Sequence, residues 1–331
     1  MTLRVGIIGA GQVGERQAIG FAATAGAKVV GIADLVLERA TALTQRFGGI
    51  AVTDWRQLMD LDLDILVVCL PHNNHVEPTE AAAQQGVHVL MEKPIATTLE
   101  DGQRIVNLCA KAGVKLTISF VHRFRDECQF ARQWLDEGRI GSPQIVRGVM
   151  TAPRKPELPP WVTSKEVAGG GVMMYSAVHE VDRLRWLVGS DVVTVAGQIR
   201  RWDPNSEVED GAVALLTFAN GAAASLTANA PSYWAQPALW ETEVWGTEGM
   251  LRIARSGLEI SSDKLQTRLE TQTPDSRLGQ HYNIGRQAEA FVSAINEDTD
   301  PVVTARDGLE SLRVVMALYE SAGTGEIVRL Q

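Results

Sequence analysis

The amino-acid sequence predicts two domains: an α/β domain with a doubly wound parallel sheet, then an α+β domain dominated by an antiparallel sheet. Three observations predict this. A glycine-rich turn joins the first strand to the first helix. Strands and helices then alternate through the first third of the chain. Beyond residue 122 strands follow one another with turns between them. With 331 residues, 45% of them hydrophobic, the chain is long enough to build two cores.

Residues 3–8, Leu3-Arg4-Val5-Gly6-Ile7-Ile8, read as a buried strand and run into Gly9-Ala10-Gly11-Gln12-Val13-Gly14, ahead of an alanine-rich helical stretch. In this G-x-G-x-x-G pattern Gly9 permits a tight turn, Gly11 lets the backbone approach a pyrophosphate, and Gly14 lets helix pack on strand. The free N–H groups of the helix start, around Gln12 and Val13, face the phosphates. A second strand, 28–33, ends in Asp34, twenty residues past Gly14, where a carboxylate takes the ribose hydroxyls of a dinucleotide. That carboxylate accepts from the 2′-hydroxyl of NAD and repels the 2′-phosphate of NADP, and Leu35 brings no positive charge. NAD is favoured, and Arg39, five residues on, keeps NADP possible.

Residues 36–47 read as a helix, Asp54 as the cap of a short one, and 64–70 as a buried strand with the loop Pro71-His72-Asn73-Asn74-His75 at its carboxyl end. A helix to Gly86 and the strand 87–91 lead into Glu92-Lys93-Pro94. Pro94 stops any helix there, so Lys93 is presented at the carboxyl end of a parallel strand, where such folds bind ligands. A helix over 99–112 and a strand over 115–121 complete the first domain, assigned to residues 1–121, with the second over 122–331. The second opens with a helix over 127–137 and continues in strands over 144–150, 192–201, 212–218, 222–228, 239–245 and 250–253. Ala219-Asn220-Gly221 and the stretch 246–249 supply turns. The stretch 171–188 reads as one helix with Tyr175, His179, Asp182 and Trp186 on a shared face. Residues 153–161, with four prolines, form an irregular loop, and a helix over 283–296 follows His281 and Tyr282.

A net charge of −9 without a basic block argues against nucleic acid or an anionic membrane as partner. No signal peptide or membrane-length apolar run is visible. Cys69, Cys109 and Cys128 make no C-x-x-C pattern, and the six histidines show no zinc spacing, so no metal is expected and the reduced cytoplasm is the expected home.

The glycine fingerprint, the Glu92-Lys93-Pro94 corner, the segment Gly169-Gly170-Gly171-Val172-Met173-Met174-Tyr175-Ser176-Ala177-Val178-His179-Glu180-Val181-Asp182 and the closing Arg306-Asp307-Gly308-Leu309-Glu310 together resemble the Gfo/Idh/MocA oxidoreductases, the family of glucose–fructose oxidoreductase and inositol dehydrogenase. The resemblance spans essentially the whole chain. It implies a Rossmann domain followed by an open, mainly antiparallel sheet, a cis peptide before Pro94, homodimers or homotetramers, and NAD(P)-linked hydride transfer to or from a sugar, inositol or related polyol. It also implies that Lys93 holds a substrate oxygen and His179 acts as acid/base. The chemistry agrees: oxidising an alcohol needs a proton acceptor of near-neutral pKa and a cation to stabilise the developing alkoxide.

One departure matters. Many members carry aspartate four residues before the histidine, where this chain has Tyr175, and Ala177 replaces a usual glycine. Tyr175 either donates a hydrogen bond or walls the pocket. Leu70, His72, His75 and Glu92 join Lys93 as expected cofactor neighbours, with solvated loop residues as the alternative for the two histidines. Arg123 either binds an acidic or hydroxylated substrate or forms a domain-bridging ion pair. Trp161, Tyr233 and Trp234 either stack on a sugar or serve subunit contacts, and Tyr282 with His281 is a further expected substrate contact. Two other activities share this pattern: a glycosidase that oxidises transiently through bound NAD, and a non-catalytic dinucleotide sensor, against which the presence of both Lys93 and His179 argues.

Overall fold

The structure is a computed structural model that describes residues 2–154, 158–231, 238–254, 257–262, 266–270 and 281–330. Two compact units emerge. The first holds Met1–Ala96, Glu100–Phe124 and Thr273–Leu309, and the second Thr97–Leu99, Arg125–Gln272 and Glu310–Gln331.

The chain opens with β1 (Leu3–Ile8), α1 (Gln12–Ala23), β2 (Ala27–Ala33), α2 (Leu37–Phe47), β3 (Ile50–Val52), β4 (Ile65–Val68), α3 (Val76–Gln84), β5 (His88–Met91), α4 (Leu99–Ala112) and β6 (Leu116–Ile118). These strands form a six-stranded parallel sheet in the order β3-β2-β1-β4-β5-β6. All four residues of β4 are buried, as in a strand covered on both faces. The order reverses between β1 and β4, and the crevice outside the carboxyl ends at such a reversal is where these sheets bind ligands.

There follow α5 (Asp126–Asp136), β7 (Pro143–Thr151), α6 (Lys165–Ala168), a π-turn (Met173–Ala177), α7 (Val178–Val188), β8 (Val192–Arg200), β9 (Gly211–Phe218), β10 (Ala223–Asn229), β11 (Leu239–Gly246), β12 (Gly249–Ala254), β13 (Gly257–Ser262), β14 (Gln266–Glu270), α8 (Tyr282–Asn296), α9 (Ala305–Thr324) and β15 (Val328–Arg329). Helix α8 belongs to the first unit and gives Ala288, Phe291 and Val292 to a core shared with Val5, Ile7, Phe21, Ile32, Val67 and Leu90.

The second unit is a nine-stranded sheet, β14-β13-β12-β11-β7-β10-β9-β8-β15, antiparallel except where β10 lies parallel to β7. Strand β9 alternates between buried and exposed residues, so one face is core and the other open. On the open face Ile145, Val213, Leu215 and Trp245 are exposed beside an ion-pair ladder, Arg147 to Glu241 at 2.9 Å and to Glu243 at 2.7 Å. On the buried side α7 is tied to β11. Arg183 Nε donates to Thr242 Oγ1 at 2.8 Å, Thr242 Oγ1 donates to Glu180 Oε1 at 2.8 Å, and the guanidinium pairs with Glu180 and lies 4.3 Å over the Trp240 ring.

Several expectations need correction. The stretch 171–188 is not one α-helix, because Met173–Ala177 winds as a π-turn before α7 begins. Tyr175 and His179 therefore straddle a junction and do not sit one α-turn apart. Strands β3, β13, β14 and β15 were not expected, nor was the parallel β7–β10 pairing.

Candidate active site

In the first unit the glycine turn is built as its spacing requires. Gly9 has φ +93°, the left-handed region open to glycine, and a side chain there would strike the Cys69 carbonyl. A Cβ on Gly14 would run into the Gly9 carbonyl, so this glycine lets α1 start hard against β1. Gly11 faces open space, with no atom within 4 Å of where its Cβ would stand, and Gln12 and Val13 are exposed beside it.

Asp34 closes the turn from the end of β2. Its Oδ2 accepts from Ala10 N–H at 2.7 Å and its Oδ1 from Val36 N–H at 2.9 Å, which fixes the carboxylate beside the glycine loop. Leu35 next to it is 92% exposed. The group implied by the fingerprint fits. The open cradle at Gly11 admits a pyrophosphate, the first N–H groups of α1 provide its donors, and the anchored Asp34 carboxylate suits a ribose diol.

Lys93 follows β5 at a cis Lys93–Pro94 peptide. It is half-buried, and burial holds its ammonium below the usual lysine range; the Glu92 carboxylate opposes that shift and the Arg16 guanidinium adds to it. The loop after β4 braces this corner through His75, which is fully buried. One ring nitrogen, Nε2, faces the Leu70 carbonyl at 3.2 Å, and Nδ1 faces the Ile95 carbonyl at 3.2 Å. Burial pushes the His75 pKa down, so the neutral ring donates through one nitrogen at a time. His72 is buried as well, with its ring centroid 6.4 Å from that of His75, so neither histidine is a solvated loop residue.

Arg123 is buried in an ion pair within this unit. Its Nη2 lies 2.8 Å from Asp307 Oδ1 and its Nη1 donates to the Val302 carbonyl at 3.3 Å, an ion pair inside the first unit and not the domain-bridging one expected. Tyr282 opens α8, with the Arg286 guanidinium 5.6 Å over its ring.

In the second unit Tyr175 and His179 are both half-buried, and the Trp161 ring meets Tyr175 edge-on at 6.3 Å and 68°. Tyr233 and Trp234 lie outside the described residues. The start of this helical segment is held by a residue that the sequence reading passed over. Buried Glu209 accepts from Gly171 N–H at 2.7 Å, from Met173 N–H at 3.0 Å and from the Tyr319 hydroxyl at 2.9 Å. A carboxylate at a helix start answers both its free N–H groups and its dipole, and so sets the segment that carries Tyr175 and His179. Nothing in the sequence distinguished Glu209 from other acidic residues.

Comparison with known proteins agrees with this geometry. Residues 3–120 match the model of the oxidoreductase family with an NAD-binding Rossmann fold, and residues 128–252 match that of the GFO/IDH/MocA C-terminal domain. The chain is 32% identical to 1,5-anhydro-D-fructose reductase of Ensifer adhaerens, over 99% of this chain and 98% of that one. It is 28% identical to D-glucoside 3-dehydrogenase of Escherichia coli (strain K12), over 99% and 97%. Among solved structures, levoglucosan dehydrogenase in complex with NADH and levoglucosan superposes with a TM-score of 0.92 at 26% identity, over 99% of each chain. The chain belongs to the GFO/IDH/MocA family of NAD-binding oxidoreductases.

Proposed function

We propose that this enzyme is an NAD-dependent dehydrogenase that oxidises a secondary ring hydroxyl of a sugar, inositol or related polyol. Its substrate is a hexopyranose whose anomeric centre is tied in a glycosidic or anhydro linkage. The names of the three relatives support the substrate class: a glucoside, a 1,5-anhydro sugar and levoglucosan, itself an anhydro sugar, all lack a free anomeric hydroxyl. The observation that carries the reaction class is Lys93, a half-buried amine presented past β5 in the domain whose glycine turn and Asp34 suit NAD.

NAD, when bound, supplies the hydride acceptor. Gly9, Gly11, Gln12, Val13 and Gly14 would cradle its pyrophosphate, Asp34 would take its adenosine ribose, and Leu70, His72 and Glu92 would border its nicotinamide end, with His75 bracing the Leu70 and Ile95 carbonyls. The Lys93 ammonium holds the substrate oxygen and stabilises the charge that develops as the hydroxyl proton leaves, and His179 takes that proton. Tyr175 replaces the usual carboxylate with a neutral phenol, and with Trp161 it offers an aromatic wall to the C–H face of a ring. Residues 1–121, completed by α8, act as the dinucleotide domain, and the rest of 122–331 as the substrate and oligomerisation domain. Tyr282 is assigned a supporting contact to substrate, and Arg123 a structural one.

The open face, with Ile145, Val213, Leu215 and Trp245 exposed, supports a homodimer or homotetramer closed through that face. Among the described residues no helix is long and apolar enough to cross a membrane. The relatives are named dehydrogenases and a reductase, which favours net oxidation or reduction over glycosidic cleavage.

A panel of methyl glycosides, anhydro sugars, free sugars and inositols, followed by NADH absorbance, tests the reading. Turnover is expected on the anomerically tied hexoses. Preferred oxidation of a free sugar at its anomeric carbon overturns the substrate class, and release of nitrophenol from a nitrophenyl glycoside without NADH overturns the reaction.

A further inference from the structure

Behind the Lys93 corner runs a buried polar chain that the reaction described above does not use. Gln17, one turn into α1 and 1% exposed, donates from Nε2 to Glu92 Oε1 at 2.8 Å and to Ser119 Oγ at 3.2 Å. Ser119, just past β6 and also 1% exposed, donates in turn to Gln287 Oε1 on α8 at 3.2 Å. Both Nε2 protons of Gln17 are thereby used. Gln17 Oε1 and Gln287 Nε2 have no hydrogen-bond partner among the described residues, although both are buried. The opposite orientation of the Gln17 amide would set its oxygen against the Glu92 carboxylate, acceptor against acceptor. The protein thus keeps a hydrogen-bond donor aimed at Glu92.

We propose that Gln17 is a positioning residue for the Glu92–Lys93 corner: anchored by Ser119 and Gln287, its amide fixes where the Glu92 carboxylate stands relative to the Lys93 ammonium. The helix that begins at the dinucleotide turn is thereby linked to the reactive amine through one side chain. Among the described residues of the first unit, the other charged and titratable groups coupled to this corner are Arg16 on α1 and His75 and Cys69 at the end of β4 and in the loop after it. Arg16 opposes the Lys93 ammonium, and the His75 ring and the Cys69 thiol are both held neutral by burial. Glu92 is a favourable charge on Lys93, and letting its carboxylate swing away weakens the opposition to burial and Arg16, which both act to lower the Lys93 pKa.

The proposal deepens the role given to Lys93, but its readout needs no substrate, so it can fail independently of the dehydrogenase reading. Lysines of the full-length protein are reductively methylated with ¹³C-formaldehyde and the dimethyl-lysine signals titrated by NMR, with the Lys93 signal assigned by its absence in Lys93→Met. Gln17→Met is expected to lower the Lys93 midpoint by about half a pH unit or more. Glu92→Gln is expected to lower it as well, and Gln17→Met should add little in the Glu92→Gln background, because both act through one carboxylate. Ser119→Ala, a milder change that frees the Gln17 amide on one side, is expected to shift the midpoint in the same direction by less. A parent-like midpoint in Gln17→Met and Ser119→Ala, or shifts that add fully in the double variant, overturns the proposal even if melting temperatures fall.

Discussion

Asp34 is expected to set the cofactor preference, and its contacts give the size of the effect. The carboxylate accepts two backbone N–H groups, from Ala10 and Val36, and remains beside the glycine turn with lone pairs for a ribose diol. A hydrogen bond to a charged group is worth about 1.5–3 kcal/mol, so Asp34→Ala should weaken NAD by about 10- to 150-fold. NADP gains on the same change, since its 2′-phosphate no longer meets a fixed negative charge, and the gap between the two cofactors narrows from both sides. Asp34→Asn separates two contributions: one amide oxygen still accepts from the turn while the charge is gone, so NADP should improve with less damage to NAD. Titration of both cofactors into the parent and the two variants by protein fluorescence reads all six affinities. Equal or tighter binding of NADP by the unmodified enzyme would refute the reasoning, as would an Asp34→Ala variant whose preference for NAD is unchanged.

Two glycines of one turn should respond differently. Gly11→Ala meets no protein atom, so the cofactor-free melting temperature should hold while NAD affinity falls tenfold or more, by about 1.4 kcal/mol; Gly9→Ala, at φ +93° and against the Cys69 carbonyl, should lower the melting temperature itself. For the Arg123–Asp307 pair, burial raises the Asp307 pKa but the Arg123 charge and the hydrogen bonds from Arg123 and Thr304 outweigh it and hold it below the usual aspartate value. The stability this contributes is present above the unfolded-state value and lost as pH falls through the folded one. Urea unfolding should show Arg123→Met destabilised by about 3–5 kcal/mol at neutral pH and losing less than the parent on acidification. Tyr175→Phe, which removes one neutral hydroxyl, should cost about 0.5–1.5 kcal/mol in turnover, and abolition of activity would make the phenol itself the acid/base.

The parts of this fold that could be read from the sequence are those whose chemistry is local. Gly9, Gly11, Gly14 and Asp34 announce their turn because backbone shape and spacing alone demand those residues. The corner at Lys93 is legible because Pro94 stops a helix directly after an apolar strand. Short or polar strands give no such signal: β3 has three residues, and β14, Gln266–Glu270, has the polar sequence of an edge strand. The π-turn at Met173–Ala177 has no composition of its own, so periodicity reads through it as α-helix. Burial is the other blind spot. Gln17, Ser119 and Gln287 look like ordinary polar residues until the fold brings positions 75, 102 and 168 residues apart within hydrogen-bond reach. His75, four residues past Pro71, reads as a loop histidine until both its nitrogens are found facing carbonyls.

Lys93 and His179 are proposed to carry out alcohol oxidation with NAD, and the most direct measurement is NADH formation against pH by the parent, Lys93→Met and His179→Ala on the substrate the panel identifies. Lys93→Met is expected to bind NAD nearly as the parent does yet turn over about 100-fold more slowly or worse, and His179→Ala to lose the acidic limb of the pH–rate profile along with most of its rate. A Lys93→Met enzyme that keeps most of the parent's turnover, or a His179→Ala enzyme that keeps the acidic limb, would contradict these roles.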